Sequence, residues 1–98
     1  MAIFSIISKA LMQGLDERIT RHYPQSQRWS DTCWFVETDD NILAVSANIG
    51  VPVVRDEQQT LFSEYGHVMV VQVSANYWGY GTMPFWDWMK SAFERSGQ

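Results

Sequence analysis

Along the first 22 residues, apolar side chains recur at three- and four-residue spacings: Ile3, Phe4, Ile7, Leu11, Leu15 and Ile19. That drifting stripe predicts an amphipathic helix over 2–22. Gly14 lies close to the stripe, where glycine costs about 1 kcal/mol relative to alanine. Close packing against a neighbour, or a bend, would account for it. Arg18, Arg21 and His22 load the last turn with groups that favour the negative end of the helix dipole, and Pro24 ends it.

The period then changes. Thr32-Cys-Trp-Phe-Val-Glu37 is β-branched and aromatic, as a strand requires. Thr38-Asp-Asp-Asn41 supplies turn chemistry, because short Asp and Asn side chains bond to neighbouring amides. With 42–49 read as the returning strand, 32–49 becomes a β-hairpin. Gly50-Val51-Pro52 interrupts the pattern. Val53 and Val54 suit a short edge strand after the proline, and 55–64 suits one or two helical turns that Gly66 closes. The run 67–74 is nearly continuously apolar, as expected of a strand buried on both faces.

A terminal helix is predicted over 84–95. Pro84 fits the first helical position and Asp87 complements its positive end. Phe85, Trp88, Met89, Ala92 and Phe93 form its apolar stripe. The order α-β-β-(β/α)-β-α leads to an α+β fold. Its economical form is an antiparallel β-sheet of three to four strands with the N-terminal and C-terminal helices packed on one face. Apolar residues in 32–37 and 67–74 point both ways, so that arrangement leaves one sheet face uncovered. A homodimer through that face, or through an edge strand, would cover it.

Composition narrows the picture. The 98 residues make a single domain, 1–98, long enough to bury roughly 65% of the unfolded surface without staples. Seven basic residues against eleven acidic ones give a formal charge of −4, and the basic residues are scattered singly. Without a basic stripe to displace phosphate counterions, nucleic acid is not an expected partner. A mildly acidic chain suits docking on a basic surface. Ser5, Ser8 and Lys9 interrupt the first apolar run, and no basic segment leads it, so it does not read as a signal peptide. With no apolar run long enough to span a membrane, the expected location is cytoplasmic.

Catalytic chemistry is thinly represented. His22 and His67 are the two histidines and Cys33 the one cysteine, so a chain alone can form no disulfide. A Cys33–His67 pair is conceivable, but Trp34 and Phe35 beside the cysteine favour a buried inert thiol. Asp39-Asp40 belongs to a turn and Asp56-Glu57 to a helix start, and no metal-ligand spacing or phosphate-cradling glycine loop appears. No cofactor is implied, and no nucleophile, base and orienting group can be named together. An enzyme is therefore not the expected reading.

Aromatic side chains are the remaining signal: five Trp, five Phe and four Tyr, with six rings in 77–88. Gly79 and Gly81 let the chain turn between strand and helix. A purely structural reading uses Trp78, Phe85 and Trp88 to seal the core and leaves the Tyr80 hydroxyl at the surface. In a functional reading, Trp78, Tyr80, Trp86 and Trp34 anchor a protein partner, as Trp and Tyr often do. Trp86 falls off the stripe of its own helix. Trp29, with Arg28 as a polar companion, extends the same surface. The expected function is a small non-enzymatic binding protein of accessory, inhibitor or immunity type. The alternative is a carrier or sensor whose rings line a pocket for a small apolar or cationic molecule.

Overall fold

The computed structural model describes residues 1–51, 65–75, 79 and 81–96. The short strand and helical turns expected over 53–64 lie outside the described residues. The elements are β1 (Ala2–Ser8), α1 (Gln13–His22), β2 (Gln27–Ser30), β3 (Cys33–Thr38), α2 (Ile42–Asn48), β4 (Val68–Val73) and α3 (Met83–Ser96). The strands form one antiparallel sheet in the order β2-β3-β1-β4. The α+β class, the antiparallel sheet of four strands and the C-terminal helix agree with the sequence reading.

Two elements differ from it. The first half of the predicted N-terminal helix is β1, which lies in the interior of the sheet between β3 and β4. Ile3, Ile6 and Ile7 are β-branched and stiff at χ1, which suits an extended chain. A strand buried on both faces reads as a continuous apolar run, and short runs of that kind carry no distinguishing period. The Ser8 hydroxyl donates to the Ala10 carbonyl and ends the strand, and α1 begins only at Gln13. Its predicted end holds, with Arg21 and His22 in the last turn. A Cβ at Gly14 would lie 3.0 Å from Tyr65 Cε1, so close packing explains that glycine.

The second difference is the returning strand of the predicted hairpin, which is helix α2. Asn41 does not turn a hairpin; its side-chain oxygen accepts from the Ala44 N–H at 2.8 Å and caps the helix. Asx turns and N-caps use the same short side chain, so the motif was recognisable and its consequence was not. Gly50 sits at φ 86° just past the helix end. Its N–H donates to Ala47 O, and the Val51 N–H donates to Ser46 O. These are the paired bonds of a Schellman stop, which favours glycine. The partners of β3 are β1 and β2, the latter in a segment read from sequence as loop.

Alternation along β1 builds two cores. Phe4 and Ile6 join Trp34 and Val36 beneath Leu15, Ile19 and Tyr23 on one face, with Val45 of α2 and Ile49 just after it. Ile3 turns to the other face, where Phe85, Met89, Ala92 and Phe93 of α3 cover it together with Phe35 and Val73. The terminal helices therefore lie on opposite faces rather than on one. The second face is not wholly open, but α3 covers only part of it. Ile7, Met69 and Val71 remain 39%, 59% and 40% exposed.

Candidate functional site

Strand β3 places Trp34 and Phe35 on opposite faces of the sheet. Phe35 faces α3, and three further rings gather on it. Trp29 meets Phe35 edge-on at 6.5 Å between centroids, and meets Phe85 at 4.7 Å and Trp86 at 6.2 Å. Phe85 in turn contacts Phe35 and Trp86, each at 5.3 Å and steeply tilted. Tilted contacts of this kind match the positive ring edge of one residue to the negative face of the next. Trp88 stacks on Phe85 at 6.4 Å. Its indole N–H is buried without a partner among the described residues.

The rings do not fill the space between them. Trp29, Phe35, Val73, Phe85, Trp86 and Met89, with Gly79, enclose a half-open notch of about 130 Å³. Its floor is core: Phe85 and Met89 are buried. Trp29 is 42% exposed on its wall, and Trp86 is half-buried. Two glycines allow this approach. A Cβ on Gly81 would meet the Trp29 ring at 2.7 Å, and one on Gly79 would touch Trp86 at 3.7 Å. Among the described residues, no charged side chain lines the notch.

The structure thus brings together two of the six residues expected to form the binding surface, Trp29 and Trp86. Trp34 does not join them. It is 1% exposed in the other core, and its Nε1 donates to Asp16 Oδ1 at 2.7 Å. Arg28 alternates to that same side, where its guanidinium lies 5.9 Å from the Trp34 ring centre and pairs with Asp31. Trp78 and Tyr80 lie outside the described residues. Phe35, Val73 and Met89 were not anticipated. Alternation along 33–38 did say that Trp34 and Phe35 face opposite ways, but which face carries the notch depends on where α3 packs.

A wider depression lies beside the start of β1 and the end of β3. It is lined by His22, Tyr23, Glu37, Thr38 and Asp40 among others. Several of its polar groups are engaged: Arg95 Nε donates to both Glu37 oxygens at 3.0 and 3.2 Å. The Tyr23 hydroxyl donates to Asp40 Oδ2 at 3.1 Å, and Asn48 Nδ2 donates to both of those oxygens. Burial raises the Tyr23 phenol above its ordinary pKa; the Asn48 bond opposes the rise and Asp40 adds to it. This network ties the end of α1 to the start and end of α2.

Cys33 is half-buried rather than enclosed, with its sulfur 3.5 Å from the Ser5 hydroxyl. Among the described residues, no group of three or more His, Cys, Asp or Glu side chains could hold a metal ion. Nor is any helix among them long and apolar enough to cross a membrane. No protein-family model matches the chain, and no curated protein and no solved structure is significantly similar to it.

Proposed function

We propose that this chain is a non-enzymatic binding module that recognises a protein partner by seating one apolar side chain in the Trp29–Phe35–Phe85–Trp86 notch. The observation that carries the reading is the notch itself: an apolar concavity of about 130 Å³ with a buried aromatic floor and a half-exposed tryptophan wall. A cavity of about 150 Å³ lined by aliphatic and aromatic residues accepts one benzene ring. The notch therefore suits one phenyl or branched aliphatic group. Pockets that enclose whole small ligands run to about 300–1,000 Å³, which favours a side-chain anchor over a carried metabolite. With no carboxylate among the described residues of its walls, the notch also suits a neutral group better than a cation. Partly exposed Trp beside a pocket is a common composition for contacts that dominate binding energy. The net charge of −4 favours a partner with a basic rim. A cytoplasmic setting belongs to the same proposal.

The test is a two-dimensional NMR titration with N-acetyl-phenylalanine amide and N-acetyl-leucine amide, with N-acetyl-glycine amide as the blank. Fragments of this size should bind with Kd on the order of 1–10 mM. The Trp29 and Trp86 indole N–H resonances should move saturably with the first two and stay still with the third. Trp86→Ala should remain folded by circular dichroism and lose the response. Equal shifts with all three amides, or an unfolded Trp86→Ala variant, would refute the proposal. In the second case the ring would be core and not contact surface.

A further inference from the structure

The two edges of the sheet are built differently. Strand β2, at one edge, is four residues long, carries Arg28 and is broken by a bulge between Arg28 and Ser30. Short length, charge and bulges are the devices that keep a sheet edge from pairing with another chain. Strand β4, at the other edge, has none of them. Val68-Met-Val-Val-Gln-Val73 runs six residues in unbroken register against β1 without charge, proline or glycine. Among the described residues, β1 is the one strand hydrogen-bonded to it. Alternate residues of an antiparallel edge strand direct their N–H and C=O groups outward, so β4 presents a template for one more strand.

The side chains beside this edge fit a second copy of the same chain. Met69 and Val71 are exposed on the part of the face that α3 leaves open, next to Ile7. Helix α2 packs on β4 and carries two further exposed apolar residues, Ile42 and Leu43. Opposed residues of an antiparallel pair share a face, so a two-fold axis normal to the sheet must pass through a residue position. Placing it at Val70 sets each Met69 opposite Val71 of the other copy. The exposed apolar side chains of the strand then cover each other. The bulged, charged β2 edge stays outermost, so pairing stops at two chains.

We propose that β4 pairs antiparallel with β4 of a second copy, about an axis at Val70, and joins two sheets into one. Sedimentation equilibrium across the micromolar range should show a reversible monomer–dimer system, with β4 amides gaining hydrogen-exchange protection as concentration rises. Met69→Lys combined with Val71→Lys opposes like charges at both cross-strand pairs and should weaken the dimer at least about tenfold. Met69→Lys combined with Val71→Glu pairs opposite charges in the same register and should restore most of it. A monomer at every concentration overturns the proposal, as does a dimer indifferent to the two lysines. Loss without recovery in the Lys/Glu variant overturns the Val70 axis and this pairing with it. If a variant fails to fold, the concentration dependence of wild-type β4 exchange decides alone.

Discussion

The tightest polar contact of the larger core offers a stringent test of the packing. Trp34 is 1% exposed, and its indole N–H has the Asp16 carboxylate as acceptor at 2.7 Å. Asp16→Ala leaves that donor buried and unpaired. A hydrogen bond to a charged acceptor contributes about 1.5–3 kcal/mol, and stranding a buried donor costs about 1–3 kcal/mol for the same event, so the two are not summed. Asp16 also lies 4.0 Å from Arg28, but both side chains are more than a third exposed. Solvent reduces that pair to a few tenths of a kcal/mol. The expected loss is therefore about 2–3 kcal/mol. For a domain of this size that corresponds to a melting temperature lower by roughly 10–20 °C. Asp16→Asn keeps an acceptor and should recover about half the loss. Trp34→Phe removes the donor and is itself destabilising through lost volume, but Asp16→Ala added to it should cost under about 0.5 kcal/mol further. Urea unfolding with constant slope measures the wild type and all four variants. An Asp16→Ala cost that is equal with and without the Trp34 indole would refute the assignment.

Two further outcomes probe other parts of the molecule. Because burial lifts the Tyr23 phenol above its ordinary value of 10.0, the folded state holds that proton longer than the unfolded state does. The Tyr23 contribution is fully present below pH 10 and is lost as pH rises through the higher folded value. Unfolding midpoints for wild type and Tyr23→Phe should therefore converge above pH 10, and curves that stay parallel would contradict the network. In Gly81→Ala, the new Cβ would sit 2.7 Å from the far end of the Trp29 ring. That ring is half-exposed and yields more readily than backbone, so the cost should stay below about 2 kcal/mol while the Trp29 indole resonance shifts. An unmoved resonance would place the ring elsewhere.

The sequence errors share one physical cause. Strand β1 and helix α2 are both short apolar runs, and burial on one or two faces hides the period that separates helix from strand. Ile3, Phe4 and Ile7 happen to fit a helical stripe because an interior strand requires apolar residues at nearly every position. Conversely, 42–48 looks extended through Ile42 and Val45. Asn41 below and Gly50 above hold it in a helix of seven residues, buried mainly through Val45 and Ser46. Terminal signals outperformed periodicity: Pro24, Gly50 and Pro84 each lie at or beside a real boundary. The fold class survived because one helix-to-strand error and one strand-to-helix error left the balance of elements intact.

The same limit explains why the aromatic surface was only half legible. Six rings in 77–88 mark an aromatic region, yet a notch needs walls from distant segments. Trp29 comes from an edge strand read as loop, and Phe35 from the side of β3 opposite Trp34. Alternation fixes that Trp34 and Phe35 cannot share a surface. What assigns them is the covering of each face. Leu15 and Ile19 of α1 close over Trp34, where Asp16 satisfies its N–H. Phe85 and Met89 of α3 close over Phe35 only in part. A Trp with a carboxylate partner can be buried entirely, whereas a helix laid across part of a sheet face leaves the rings at its margin partly open. Candidate contact residues in such a domain are therefore better sought at the margin of the covering helix than among the largest rings of the strand beneath it.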